Sequence, residues 1–202
     1  MRKAKLIPAT AVVAAGLLLV WTAAGGYDRP AEPWDESPAG SSVPRPAVFS
    51  GKAVGSEIQD ILVTAEGEFL AVLEAKGAPE RLKDHRFLIL GIGPAEARAI
   101  ADALAKTKPP RPQTHDLLQA VTEQLGGAVE RVTVTRLEKN VFYAELLLRQ
   151  GDRLIPVDAR PSDSIALALR AGARVAVAEG VLEAAGVAES PLKKDQGGKD
   201  FY

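Results

Sequence analysis

The stretch Leu154–Ser164, LIPVDARPSDS, decides the fold, because it aligns without gaps with an earlier stretch, Phe87–Ala97, FLILGIGPAEA. In both stretches an apolar run leads into a proline that opens a helix. Proline suits the first helical position because its missing N–H would have no partner there. An acid two residues later faces the positive end of the helix dipole. The matched residues are Pro94 with Pro161 and Glu96 with Asp163. This alignment indicates an internal duplication.

Each aligned stretch ends a longer pattern of three strands and a helix. The strand-like runs are Ile58–Ala65, Glu68–Lys76 and Arg86–Ile92 in the first half, and Val129–Arg136, Asn140–Arg149 and Leu154–Ala159 in the second. Further elements are expected as a helix at Asp116–Leu125 with Thr114 as its N-cap, a strand at Arg174–Ala178 and a helix at Glu179–Ala185. The sequence therefore predicts an α+β fold, a single domain built from two pseudo-repeated β-β-β-α halves.

The N-terminus begins with three cations, Arg2, Lys3 and Lys5, and continues as an apolar run to about Ala24. This order is typical of a secretory signal peptide or an uncleaved signal-anchor. It predicts that residues 1–26 place the rest of the chain outside the cytoplasm, either secreted or periplasmic or anchored in the cytoplasmic membrane. The choice between a cleaved signal and an anchor stays open.

The chain between the leader and the first strand has a different composition. Residues 27–55 are rich in Pro, Gly and Ser, which predicts an extended linker. Phe49, within this linker, either docks on the domain or stays in solvent or at a membrane surface. The folded domain is expected over residues 56–188, and the polar residues 189–202 predict a disordered tail.

The composition excludes several kinds of site. The chain has 202 residues, no cysteine, two histidines and a formal net charge of −1. The lack of cysteine excludes disulfides, thiolate zinc ligands and thiol nucleophiles. Two histidines far apart in sequence exclude a helical two-histidine zinc motif. Because the net charge is close to zero, nucleic acid would have to bind at a local basic groove rather than through a general field.

A first candidate cluster lies where the last strand of the second half meets its helix. It contains Asp158, Arg160, Ser162 and Asp163. Backbone N–H groups at a helix start, a hydroxyl and a guanidinium suit a phosphate group. Asp158 and Asp163 would instead suit a hard divalent cation such as Mg²⁺. A structural alternative stays open, in which Asp163 balances the helix dipole and Asp158 pairs with Arg160.

A second candidate cluster lies in KPPRPQTHD, where prolines stiffen a loop before a helix. Lys108 and Arg111 supply cations beside His115 and Asp116. The helix start disfavours a positive charge on His115, and a neutral imidazole can serve as a general base. The structural alternative is a capped helix whose His115 packs against the linker.

Four blocks of the sequence together resemble the bifunctional nuclease family. These blocks are GIGPAEARAIADAL (Gly91–Leu104), KPPRPQTHDLL (Lys108–Leu118), NVFYAELLLRQGDR (Asn140–Arg153) and VDARPSDSIALALRAGA (Val157–Ala173). The resemblance covers almost the whole expected domain in matching order, whereas the leader and the linker fall outside it. It implies a compact α+β domain and nuclease activity on both DNA and RNA, and it brings no assigned catalytic residues.

The expected function is therefore that of an exported or membrane-anchored nuclease that hydrolyses phosphodiester bonds in DNA or RNA. The expected catalytic residues are His115, Asp116, Asp158 and Asp163, the expected substrate-binding residues are Lys108, Arg111, Arg160 and Ser162, and Asp158 and Asp163 are the candidate ligands of Mg²⁺ or another divalent cation. The expected partners are DNA or RNA, the membrane through an uncleaved leader, and a second copy of the chain. The alternative is a noncatalytic oligomeric or anion-binding module of the same fold.

Overall fold

The computed structural model describes residues 46–64 and 66–191, and in these residues seven strands form one sheet beside four helices. The strands are β1 (Ala53–Val63), β2 (Phe69–Ala75), β3 (Phe87–Ile92), β4 (Gly127–Glu138), β5 (Val141–Gln150), β6 (Arg153–Ala159) and β7 (Arg174–Ala178). The helices are α1 (Pro94–Leu104), α2 (Thr114–Gln124), α3 (Pro161–Ala171) and α4 (Glu179–Ala185), and a 3-10 helix spans Glu80–His85. The expected leader, residues 1–26, and most of the expected linker lie outside the described residues.

The strands lie in the order β3-β2-β1-β7-β4-β5-β6. Strands β1 to β3 form one antiparallel meander, and β4 to β6 form another. Strand β7 joins them, antiparallel to β1 and parallel to β4. Strands β1 and β4 therefore run in opposite directions, as a twofold axis normal to the sheet requires. Each meander leads into a helix that begins with proline. The predicted α+β domain with two β-β-β-α halves is confirmed.

The hydrophobic core lies between the helices and one face of the sheet. Alternate residues of a strand point to the same face, and Val132 and Val134 of β4 are fully buried on this one. Helix α3 contributes Ile165 and Leu167, which are also fully or almost fully buried. Burying a side chain of this size contributes roughly 1.5–3 kcal/mol. Helix α3 is thus firmly anchored, and its first turn is a rigid base for the residues around it.

Residues on both sides of the expected domain range pack on the domain. Strand β1 begins at Ala53, and Phe49 packs against the core while its backbone N–H donates to Glu145 Oε2 (2.6 Å). At the other end, Phe87 and Val187 form an isolated antiparallel bridge, and Ser190 is buried. The described part of the expected linker therefore contributes to the fold.

The N-cap of helix α2 lies one residue before the position that the sequence predicts. Its N-cap is Gln113, whereas Thr114, the expected cap, is already the first helical residue. After this helix, Gly126 has a φ of 74°, a left-handed conformation that favours glycine and is typical of a helix end. No helix within the described ranges combines the length and the apolar character that a bilayer crossing requires.

Candidate functional site

Arg160, the N-cap residue of α3, connects the two halves of the domain. Its Nε and Nη2 atoms donate to Asp163 Oδ2 (2.7 Å) and Oδ1 (3.1 Å) in the first turn of its own helix. Its Nη2 also lies 2.8 Å from Glu96 Oε1 at the start of α1. The hydrogen bond to Asp163, that carboxylate's charge and then the contacts with Glu96 raise the pKa of Arg160 above its usual value. The guanidinium is therefore a fixed positive charge between two carboxylates.

His115 brings the second sequence cluster to the first. Its Nε2 atom lies 3.6 Å from Asp163 Oδ1, and its side chain is only 13% exposed. The two clusters, separated by more than forty residues in sequence, thus meet at one carboxylate. At 3.6 Å the contact lies just beyond hydrogen-bond distance, so a small movement of either side chain would complete a hydrogen bond.

Asp116 is held by two partners and fixes the start of α2. Its Oδ2 atom accepts the backbone N–H of Gln113 (2.8 Å), and its Oδ1 atom accepts Nε of Arg170 (2.7 Å). The hydrogen bond from Gln113 and then that from Arg170 lower the pKa of Asp116 below its usual value. Arg170 is nearly buried and also donates to Ala99 O and Ala166 O, both at 2.9 Å. Asp116 therefore joins α2 to α3 and positions the neighbouring His115.

A cleft of ≈ 270 Å³ opens beside Arg160, between the two helix starts. Ser162, which is 7% exposed, lines the cleft together with Glu96 and with residues of the β4–β5 hairpin. The turn itself is fixed by Ser164, whose Oγ donates to Arg160 O and Pro161 O, both at 3.0 Å. A Cβ atom at position 93 would collide with Glu96 Oε2, so glycine at this position leaves room for the carboxylate that Arg160 contacts.

Asp158 lies away from this cluster. It is exposed and directly opposite Glu145 on the neighbouring strand β5, so both side chains point to the sheet face opposite the helices. The pairing of Asp158 with Arg160, one of the structural alternatives, is not observed, since Arg160 contacts Asp163 and Glu96 instead. Asp158 and Asp163 therefore do not converge on one point.

The described residues do not fit a preformed cage for a divalent cation. Both oxygens of Asp163 contact Arg160, and Asp158 lies across the sheet. Nowhere in residues 46–64 and 66–191 do three His, Asp or Glu side chains gather as ligands of a metal would. Mg²⁺ prefers several oxygen ligands in near-octahedral geometry, which this arrangement does not provide without rearrangement.

Lys108 and Arg111 lie on the loop between α1 and α2, and both are exposed. Neither makes an ion pair with any other residue in the described ranges. They precede His115 by seven and four residues, so the loop carries two exposed cations just before the start of α2. Of the sequence-predicted residues, the structure brings together Arg160, Ser162, Asp163, His115 and Asp116.

Sequence reasoning missed three residues with notable contacts. Glu96 was aligned with Asp163, but its contact with Arg160 was not expected. Arg170 lies in the last turn of α3, where a cation usually serves the helix dipole, and the sequence does not show that it reaches Asp116. Glu145 is buried, its Oε1 atom accepts no hydrogen bond, and Arg131 Nη2 lies 3.7 Å from that atom. The sequence signal for Glu145 is that it is an acidic residue within the apolar run of β5.

Comparison with known proteins places this arrangement in a family. The model of the bifunctional nuclease domain matches residues 79–190, just over half of the chain. A Mycobacterium tuberculosis protein described only as uncharacterized is 45% identical over 102 residues, which are 50% of this chain and 60% of that protein. Bifunctional nuclease 1 of Oryza sativa subsp. japonica is 30% identical over 95 residues, 45% of this chain and 29% of that protein.

The Oryza minuta protein named Bifunctional nuclease matches to the same extent as its Oryza sativa relative. The matched regions thus cover less than two thirds of each relative's length. The family match includes α1, α2, α3 and every residue of the Glu96, His115, Arg160 and Asp163 cluster. The chain belongs to the bifunctional nuclease domain family.

Proposed function

We propose that this chain hydrolyses phosphodiester bonds of DNA or RNA at the cleft beside Arg160. One observation carries the proposal: His115 and Arg160, which come from two separate segments of a nuclease-family domain, both contact Asp163, and Arg160 lines that cleft. A base, a carboxylate that orients it and a fixed cation are the groups that an attack of water on a phosphate diester needs.

His115 is the proposed general base. The Asp163 carboxylate beside Nε2 favours the imidazole tautomer that carries its proton on Nε2, which leaves the lone pair of Nδ1 free. Nδ1 then takes a proton from water as the water oxygen forms a bond to phosphorus. The bond from phosphorus to the leaving oxygen breaks, and that oxygen receives a proton from the imidazolium or from solvent. Asp163 stays ionised and stabilises the imidazolium in between.

Arg160 is the proposed phosphate ligand at the reacting centre, because its guanidinium can spread positive charge over two non-bridging oxygens. Ser162, which lines the same cleft, supplies a hydroxyl for a third contact. Lys108 and Arg111, exposed and without ion-pair partners in the described part, suit phosphates further along the strand. Asp116 is the proposed positioning residue that holds His115 in place through its contact with Arg170.

A requirement for Mg²⁺ or another divalent cation stays a prediction. The contacts of Asp163 and the distant position of Asp158 do not favour a preformed site, so the steps above rely on the chain's own residues. Export, membrane anchoring through the leader and homo-oligomerisation are likewise part of the proposal. Export and anchoring rest on the basic and apolar pattern of residues 1–26, and oligomerisation rests on the exposed aliphatic residues of α2.

The test is a nuclease assay on the purified full-length chain with single-stranded and double-stranded DNA and with RNA, with Mg²⁺ or with EDTA. His115→Gln is expected to abolish most of the activity. His85→Gln is the matched control, because His85 contacts Gly186 O (3.2 Å) and no residue of the Glu96, His115, Arg160 and Asp163 cluster in the described part of the chain. This variant should keep full activity. Equal activity of the two variants would contradict the assignment of His115.

One observation favours the noncatalytic alternative. Arg160 already contacts the carboxylates of both Asp163 and Glu96, which is an arrangement that stabilises a helix start without any ligand. A wild-type chain that binds DNA or RNA, hydrolyses neither under any divalent cation, and loses binding on Arg160→Ala would be an anion-binding module.

A further inference from the structure

Helix α2 has its polar side turned toward the domain and its apolar side turned toward solvent. The side chains that are half-buried against the domain are those of His115, Asp116, Gln119 and Thr122. Four large aliphatic residues are exposed instead: Leu117 (58%), Leu118 (44%), Val121 (45%) and Leu125 (47%). No residue of this helix is buried. A surface helix normally has the opposite orientation, with its apolar stripe against the core.

The inverted orientation is fixed by specific contacts. Asp116 binds Arg170 of α3, and His115 reaches Asp163, so the polar side is held inward at the first turn. A rotation that buried the apolar side would break both contacts and turn the ionised Asp116 away from the nearly buried Arg170. The exposed stripe therefore belongs to the native fold of the domain.

We propose that a second copy of this chain covers the stripe formed by Leu117, Leu118, Val121 and Leu125, with the two α2 helices packed antiparallel about a twofold axis near Val121. Residues 117, 121 and 125 follow one another at intervals of four and form a continuous ridge. Ridges of this spacing also take part in the packing class whose helix axes cross at only about 20°, which suits a nearly antiparallel pair. A twofold axis makes such a surface complementary to itself.

The size of the stripe sets what the rest of the interface has to contribute. The four side chains expose roughly 350 Å², which is within the range of the largest apolar patch on a typical monomer. Two copies would bury roughly 700 Å² from these side chains alone, so the adjoining loops have to supply the rest of the ~1,200 Å² at which specific interfaces begin.

The charges around the stripe also favour a second copy. In the antiparallel arrangement, the loop with Lys108 and Arg111 approaches the C-terminal end of the other copy's α2, where Glu123 and the negative end of the helix dipole lie. A bilayer is the competing occupant, since cations flank the apolar residues. However, α2 has only 11 residues, exposes Glu123 and lacks the aromatic residues that usually anchor an interfacial helix.

The first test measures the dimer dissociation constant of the full-length chain in mild detergent by sedimentation equilibrium. Val121→Glu is expected to weaken the dimer at least tenfold. Ala120→Glu, which puts the same charge one residue away and outside the stripe, is the matched control and should leave the constant within threefold. Unchanged circular dichroism and melting temperature would show that both variants fold. A wild-type monomer, or a dimer that Val121→Glu leaves intact, would overturn the proposal.

The second test uses the absence of cysteine from the chain. Val121→Cys is expected to form a covalent dimer rapidly on mild oxidation, because the axis places the two copies of this residue together. Lys83→Cys, at an exposed position on the 3-10 helix, should form no covalent dimer under the same conditions. Flotation with phosphatidylglycerol–phosphatidylcholine vesicles distinguishes the other occupant. If Val121→Glu lowers flotation while the dissociation constant and the cross-linking stay at control levels, a bilayer covers the stripe and the dimer proposal fails.

Discussion

Replacing Asp116 with asparagine tests whether the start of α2 depends on one carboxylate. Its two oxygens accept separate donors, the backbone N–H of Gln113 and Nε of Arg170. An asparagine side chain has one acceptor oxygen and one NH₂ group. It can therefore satisfy only one of the two donors, and it directs a donor at the other. Arg170 would keep its bonds to Ala99 O and Ala166 O but would lose its ionic partner.

The expected loss of stability at neutral pH is about 2–3 kcal/mol. A hydrogen bond to a charged group contributes roughly 1.5–3 kcal/mol, and a negative charge in the first turn of a helix adds about 0.3–1 kcal/mol. The side chain of Asp116 is 30% exposed, which keeps the sum toward the lower end of that range. For a domain of this size, 1 kcal/mol shifts the melting temperature by about 2–4 °C, so Asp116→Asn should melt about 5–10 °C lower.

The effect should depend on pH in a defined direction. The pKa of Asp116 is lowered in the folded state, first by Gln113 and then by Arg170, relative to an unfolded value of about 3.9. Its stabilisation is therefore complete above the unfolded pKa and is lost as the pH falls through the folded pKa. The difference between wild type and Asp116→Asn should be constant between about pH 5 and 8 and should shrink below about pH 4.

Thermal unfolding followed by circular dichroism over this pH range measures the prediction. Glu123→Gln is the matched control, since it removes an exposed carboxylate of the same helix whose partner among the described side chains is the neutral Gln119. The control should change the melting temperature little at any pH. A loss below about 0.5 kcal/mol for Asp116→Asn, or a loss that is as large at low pH as at neutral pH, would refute the role assigned to this carboxylate.

Three further predictions concern activity and location. Asp163→Asn should lower nuclease activity at least about tenfold, or ~1.4 kcal/mol of transition-state stabilisation, while the domain stays folded; unchanged hydrolysis would make Asp163 purely structural. The double change Lys108→Ala and Arg111→Ala should weaken nucleic-acid binding and reduce the salt slope by about two, as fluorescence anisotropy at several salt concentrations will measure. A reporter that is active only outside the cytoplasm should work when fused after Gly55, and activity of a cytoplasmic reporter at the same point would contradict export.

The fold was predictable because its decisive signals are local. Alternating apolar residues mark strands of period two, and a proline followed by an acid marks a helix start. These signals occur twice in the same order, so the two halves can be identified from the sequence without knowledge of which strands pair. The order of the sheet was not predictable, because β7 enters between β1 and β4 through contacts that no local pattern encodes. The docking of Phe49 on Glu145 is equally non-local, at 96 residues of separation.

The site was predictable in part for the same reason. The sequence identified His115 and Asp163 as members of two separate clusters, and their meeting depends on how α2 packs against α3. Asp158 was placed with Asp163 because only four residues lie between them in the sequence. A strand directs alternate side chains to opposite faces, however, and Asp158 lies on the face away from the helices, beside Glu145. Sequence distance was therefore a poor guide to spatial distance at a strand end.

The two aligned helix starts have become complementary. The alignment pairs Gly93 with Arg160 and Glu96 with Asp163. Each helix start therefore carries a carboxylate, but the second half has a cation at the position where the first half has a glycine. Arg160 contacts both acids, and the cleft lies between the two starts. Neither half alone contains the cation, both carboxylates and the cleft wall. An exact repeat with a second arginine at position 93 would require the Glu96 side chain to shift and would bring two guanidinium groups together. Glycine at position 93 thus leaves the space in which Glu96 reaches the single cation of the other half.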